Sequence, residues 1–338
     1  TAASVLRAID HDRYDVCVVG ISPTGRWGLL PNDPDPLDGG TAVIGDDHPP
    51  VTLARCAQAT HLLGTDGHDY GAIDVLFPLL HGPYGEDGTI QGMCEMLSLR
   101  YVGAGVLASS VGMDKHYTKV LLAASGLPVG KYVAFSARRW RDERDDVLAA
   151  IDELSYPLFV KPARAGSSLG ISRVSSPAEL PQAVKLAHRY DPKVIVEQAA
   201  PGREIEIAVL QRRDGQVVVA PPGEVVMELE ADEFYDWETK YFSHERVSMQ
   251  CPADLPAADR DMLRHAAIAA FHSLYCEGLV RVDFFYNNGT YIINEVNTMP
   301  GMTPYSLYPY MWQQAGMSYT ELLSELIEQA RSRPLTLR

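Results

Sequence analysis

The run from Val282 to Asn297 constrains this chain most, because it sets acidic and amide side chains inside two apolar, strand-like stretches joined by Asn288-Gly289. A carboxylate within such a stretch is costly unless it has a cation, a basic partner or a proton, so Asp283 and Glu295 both demand an explanation. Parity decides whether they share one. A two-residue turn at Asn288-Gly289 would set Asp283 opposite Asn294 and leave Glu295 on the other face. A three-residue loop with Gly289 as the bulge sets Asp283 opposite Ile293, and then Arg281, Asp283, Glu295 and Asn297 line one face. Three oxygen donors beside an arginine suit Mg²⁺ carrying a polyphosphate, since Mg²⁺ keeps waters and takes few protein oxygens. The competing reading is a half-buried hairpin whose polar groups satisfy one another.

A chain of 338 residues exceeds one small core and predicts two or three domains. Its formal net charge of -15 disfavours general nucleic-acid binding, while leaving room for a local basic cleft that holds a nucleotide. Cys17, Cys56, Cys94, Cys251 and Cys276 are odd in number and far apart, with no CxxC pair, and read as reduced thiols. No apolar run approaches the roughly 20 residues of a membrane span, so no membrane association and a cytoplasmic location are expected. Asn288-Gly289-Thr290 matches a glycosylation sequon, but a hairpin turn accounts for it.

Along the chain, residues 2–9 read as a helix, 16–21 as a strand, and 31–40 as a Pro/Gly/Asp-rich loop. A strand at 73–80 runs into His81-Gly82-Pro83-Tyr84-Gly85-Glu86-Asp87-Gly88, and strand-to-loop junctions of this kind host sites in open parallel sheets. Gly103-Ala104-Gly105 resembles a dinucleotide fingerprint only superficially, because no acidic residue closes a second strand downstream. Tyr117, Val120, Leu121 and Ala124 fall at helical spacing, which puts Lys115 at a helix start, where it is either a solvated lysine or serves an anion. Residues 161–170 form a small Gly/Ser loop between strands at 158–160 and 171–174, whose amides and hydroxyls suit a phosphate flap. No GxxxxGK[ST] is present, which excludes a P-loop. Strands at 194–198 and 205–210 flank Glu197 and Glu204; residues 234–241 mix aromatics with charge; 298–304 form a turn-rich loop; and the last helix, 319–330, carries a plain apolar stripe.

Taken together, His81 to Gly88, Met113-Asp114-Lys115, Val160-Lys161-Pro162, Gly166-Ser167-Ser168, Phe234-Tyr235-Asp236 with Lys240-Tyr241, Arg281-Val282-Asp283 and Asn294 to Thr298 resemble the D-alanine:D-alanine ligases of the ATP-grasp superfamily, nearly end to end. The resemblance implies a three-domain α/β architecture: an N-terminal open α/β sheet domain over 1–112, a central subdomain over 113–202 and a C-terminal domain over 203–338. ATP would lie between the last two. Carried over by motif, Lys115, Lys161 and Lys240 contact ATP phosphates, Glu197 and nearby backbone hold the adenine, and Glu204 binds the ribose. Asp283, Glu295 and Asn297 become ligands of Mg²⁺, with Mn²⁺ as a substitute. A glutamate on a glycine-rich turn before the first helix would hold the first substrate's amino group; that segment is expected to lie outside these 338 residues.

The reaction implied is ATP-dependent joining of two D-alanines through a D-alanyl phosphate, for peptidoglycan precursors. Arg281 and the Gly301 amide would meet the tetrahedral oxyanion, Ser167 and Tyr241 would link two closing loops, and Lys240 with Ser306 would hold the second carboxylate. His81 is either near the first substrate or structural. A homodimer is the family expectation. The alternatives are a D-alanine:D-lactate ligase, whose relatives lack the Lys240-Tyr241 pattern retained here, and a degenerate nucleotide-binding protein.

Overall fold

The computed structural model describes residues 1–40, 44–45, 47–166, 169–227 and 247–335. It is α/β throughout, with its two largest sheets on either side of a central helix.

The C-terminal sheet runs Val247–Gln250, Gly223–Met227, Arg203–Gln211, Leu279–Asn287, Thr290–Asn297, with Val217–Val219 paired to the C-terminal end of Arg203–Gln211. Period-two alternation gives each strand two destinations. On one face Ile205, Ile207, Val209, Val280, Val282 and Phe284 pack on helix Ala257–Ser273 through Leu263, Ala267, Ala270 and Phe271. On the other, Ala208, Leu210 and Leu279 lie under helices Leu307–Gln314 and Tyr319–Ser332. That cover stops partway. At its open end the same face presents Glu204, Glu206, Arg281 and Asp283, and for this reason polar residues interrupt otherwise apolar strands there.

The central sheet is antiparallel, ordered Ser172–Val174, Leu158–Pro162, Lys193–Gln198, Tyr132–Ser136. Leu158, Val160, Val194, Val196 and Phe135 form its core with helices Arg144–Ile151 and Leu180–Ala187. Alternation again turns Lys161 and Glu197 to the opposite face, one ladder step apart, since Lys161 pairs with Ile195 and Glu197 with Phe159.

Helix Lys115–Ala124 stands between the two sheets. Asp114 caps it by accepting from the His116 and Tyr117 amides, and Lys193 holds Asp114 at 2.8 and 2.9 Å. The N-terminal part is built from small pieces: a hairpin Val18–Ile21/Trp27–Leu30, an antiparallel meander of Val51–Cys56, Ala59–Gly64 and Asp69–Ala72, and one parallel pair, Val75–Leu76 with Arg100–Tyr101. The strand expected over 73–80 is thus two residues long, and the loop expected over 31–40 contains a 3₁₀ turn at Asp35–Gly40. The meander carries none of the expected site residues. Among the described residues no helix is long and apolar enough to cross a membrane.

Candidate active site

Arg281, Asp283, Glu295 and Asn297 do share a face, but the register differs from the one expected. The turn is the two-residue form: Asn287 pairs with Thr290, and Asn288 and Gly289 both have positive φ, 45° and 83°. Parity is restored within the strand instead. Phe284 pairs with Ile293 and Asp283 with Glu295, so Asn294 is the extra residue of a β-bulge. Ile293 and Val296 consequently both enter the core although they are three apart, and Asp283 faces Glu295 rather than Ile293. The sequence does not fix the bulge's position: Asn is disfavoured in regular strands, but Asn287 and Asn288 carry the same weak signal nearby.

The ladders also set Glu206 opposite Asp283, which makes a carboxylate row across three strands: Glu206, Asp283, Glu295. Arg281 sits beside it, donating to both oxygens of Asp283 at 2.7 Å and lying 2.8 Å from Glu206. Burial would pull the Arg281 pKa down, but the attraction of Asp283 and Glu206 holds it well above its ordinary value. The Asn297 amide donates to Asp283 at 2.9 Å, and Glu295 lies 3.6 Å from Lys115. Hard oxygen donors on adjacent strands fit Mg²⁺. Among the described residues no three His, Cys, Asp or Glu side chains are gathered round one point. A cation would enter by drawing Asp283 from Arg281 and Glu295 from Lys115.

Lys115 donates to the Ala165 carbonyl at 2.9 Å, so it bridges the Gly/Ser loop and the acidic hairpin. Lys161 pairs with Glu197 at 2.6 Å, and Lys119 reaches the other oxygen of Glu197 at 2.7 Å. Burial pushes the Glu197 carboxyl up, but the two lysines overcome it and leave its pKa well below the usual range. Lys161 is likewise opposed by burial and raised by Glu197, with Glu295 and Glu204 adding to the attraction from further off. Both Glu197 oxygens are therefore committed to lysines.

His81 bonds the Met299 backbone, and desolvation lowers its pKa, with the N-terminal ammonium adding to the effect. Glu86, in the same loop, accepts from the Gly82 amide at 2.5 Å, and its carboxyl is pushed up to about 7 by burial, with Glu295 adding repulsion. Gly301 is packed so closely that a Cβ there would fall 2.7 Å from the Ser306 hydroxyl. That hydroxyl bonds Thr303 at 2.8 Å, and no side chain caps the N-terminus of helix Leu307–Gln314. Glu204 lies at the outer end of strand Arg203–Gln211, opposite Phe285. Ser167, Lys240 and Tyr241 lie outside the described residues.

Three residues absent from the sequence expectations stand in the site: Lys119, Glu206 and Glu86. Each carried a usable signal. Lys119 follows Lys115 by one helical turn, Glu206 repeats the strand parity of Glu204, and Glu86 lies within the His81 to Gly88 loop.

The chain matches two family models, the D-ala D-ala ligase N-terminus over residues 1–104 and the D-ala D-ala ligase C-terminus over 121–328. It is 48% identical over 347 residues to a D-alanine--D-alanine ligase of Arthrobacter sp. (strain FB24), covering 100% of this chain and 91% of that one. The ligase of Mycobacterium bovis is 44% identical over 352 residues, covering 100% and 92%. Among solved structures, the VanG D-Ala:D-Ser ligase from Enterococcus faecalis superposes with a TM-score of 0.85 at 33% identity, over 97% of this chain and 93% of that one. The D-alanine-D-alanine ligase from Coxiella burnetii gives 0.81 at 34%, over 98% and 88%. With both family models matched and these relatives spanning the whole chain, the protein belongs to the D-alanine–D-alanine ligase family, with the ATP-grasp fold.

Proposed function

We propose that this chain joins two D-alanines at the cost of ATP, giving D-alanyl-D-alanine, ADP and phosphate for peptidoglycan precursors. The observation that carries the reading is the meeting of two faces: the acidic row Glu206, Asp283, Glu295 with Arg281 on one sheet, and Lys161 and Glu197 on the other, with Lys115 between. One face takes a divalent cation and the other takes phosphates, which is what a metal–nucleotide complex requires. Asp283, Glu295 and Asn297 would hold the cation, Mg²⁺ or Mn²⁺, whose chemistry is to neutralise charge on the phosphate oxygens.

A carboxylate and an amine do not condense in water near neutral pH, so the first carboxylate must be activated. Its oxygen attacks the terminal phosphoryl group and forms an acyl phosphate as the bond to the β-phosphate oxygen breaks and ADP is released, while Lys115 and Lys161 hold the phosphates in line; this step is mostly positioning. The second amine, freed of its proton, attacks the acyl carbon, and phosphate leaves. Arg281 and the Gly301 amide meet the oxyanion, and Ser306 with the helix N-terminus that no side chain caps meets the second carboxylate. His81 borders the first substrate and Glu204 the ribose. Lys240, for the phosphates and second carboxylate, and Ser167 and Tyr241, for excluding water, enter the same proposal on sequence resemblance alone. The three-unit division at 1–112, 113–202 and 203–338, a homodimer and a cytoplasmic location belong to it too.

The test is product analysis with ATP, Mg²⁺ and D-alanine, with D-lactate and D-serine as competing second substrates across about pH 6 to 9, the approach to amine deprotonation. D-alanyl-D-alanine should increasingly outrun the D-lactate product as pH rises, because more amine is neutral, whereas its ratio to D-alanyl-D-serine should change little, both nucleophiles being amines. Predominant depsipeptide would establish the D-lactate alternative, predominant D-alanyl-D-serine would overturn the assignment of the second substrate, and no product would overturn the ligase reading itself.

A further inference from the structure

Lys119 is buried, its side chain 3% exposed, in the interior of helix Lys115–Ala124 between the two large sheets. A buried ammonium is costly, and an apolar residue of similar length would fill the space at lower cost, so its placement calls for a reason beyond packing. Its contacts supply one. The Nζ atom lies 2.7 Å from Glu197 on the central sheet and donates to the Asn294 carbonyl of the C-terminal sheet at 3.3 Å.

Both partners matter. Asn294 is the extra residue of the bulge, and a bulge interrupts the regular ladder around its backbone groups. Lys119 therefore engages the carbonyl at the point that sends Glu295 and Asn297 to the face of Asp283. Glu197 holds Lys161 with its other oxygen at 2.6 Å, so the position of Lys161 depends on a carboxylate that Lys119 also holds. Two ammonium groups on one carboxylate leave this cluster with surplus positive charge, and its more accessible lysine, Lys161, lies on the cleft-facing side of its sheet.

We propose that Lys119 is a positioning residue of the ligation reaction, a strut that registers the cation-binding hairpin of one sheet against the phosphate-binding Lys161 of the other. It acts through Asn294 and Glu197, without touching substrate. This inference rests on the reading that Lys161 meets ATP phosphates.

The experiment compares Lys119→Met with the wild-type protein in calorimetric binding of a non-hydrolysable ATP analogue with Mg²⁺, and of AMP. The ATP analogue should bind at least about tenfold more weakly, equivalent to about 1.4 kcal/mol, while AMP, which lacks the outer phosphates, should change little. KM for ATP should rise more than KM for D-alanine. In a double-mutant cycle with Lys161→Met the losses should overlap instead of multiplying, since both act on one phosphate contact. Thermal unfolding without nucleotide reports the fold; if Lys119→Met does not fold, Lys119→Gln, which keeps a donor for the Asn294 carbonyl and loses the charge, takes its place with the same expectations. Unchanged affinity for the ATP analogue, or equal weakening for the analogue and AMP, would overturn the role of Lys119. Failure of the wild-type protein to bind the analogue would overturn the reading on which it rests.

Discussion

Replacing Arg281 by methionine removes one buried guanidinium and leaves Asp283 and Glu206 facing each other, with side chains 13% and 12% exposed. Breaking a buried ion pair from one side typically costs about 3–5 kcal/mol, because the remaining charge keeps its desolvation penalty and loses its partner. With a urea m-value of about 3 kcal/mol per molar, the midpoint should fall by roughly 1 to 1.7 M near neutral pH. The sign of the pH dependence follows from the carboxylates. Without Arg281 each has lost a cation and kept a like charge nearby, so their folded pKa values rise above the unfolded ones, about 4. The extra loss should be absent below about pH 4 and grow as pH climbs through the raised values. Mg²⁺ should return part of it, about 2.7 kcal/mol at a hundredfold excess over Kd. Turnover should drop about 10²- to 10³-fold through the lost oxyanion contact. The assay is urea unfolding of variant and wild type at pH 5 and pH 8, with and without Mg²⁺. A variant-minus-wild-type difference that stays flat with pH and ignores Mg²⁺ would refute this account of the acidic row.

Glu86→Gln should flatten part of the pH profile of stability: with a folded pKa of about 7 against an ordinary 4.5, the wild-type carboxyl lowers stability as pH rises between those values, and the amide does not titrate. Denaturation midpoints at pH 4.5 and 8 check it. Gly301→Ala puts a Cβ 2.7 Å from the Ser306 hydroxyl and should raise KM for the second D-alanine severalfold with little change for ATP, measured by initial rates. The buried Cys94 and Cys276 thiols, each pushed up to about 12, should resist alkylation until denaturant is added, while exposed Cys17 reacts first in mass-spectrometric mapping.

The sequence made the chemistry more legible than the geometry. Asp283, Glu295 and Asn297 were readable because polar residues stand out in apolar strands, and their common face followed from parity, but the device that produces it did not. A turn bulge and a strand bulge correct parity equally well, and only the ladder beyond the turn distinguishes them. Lys161 and Glu197 were each visible on a strand, yet their pairing was not, because it depends on which strands become neighbours. The helix starting at Lys115 was legible from the spacing of Tyr117, Val120, Leu121 and Ala124, while its Asp114 cap emerged only in the structure. The N-terminal meander was not: residues 51–72 mix charge and small residues with little alternation, and tertiary pairing fixes them.

The turn and the bulge together set which side chains reach the site, and the strand between them is also held from outside the hairpin. There Ile293 bridges to Val129 and donates to the Pro128 carbonyl at 2.9 Å. Asn287, Asn288, Gly289 and Thr290 are exposed at the far end of the hairpin. This tip is therefore a natural port for engineering, where an epitope, a fluorophore loop or a new chain terminus can be introduced with the catalytic geometry left in place.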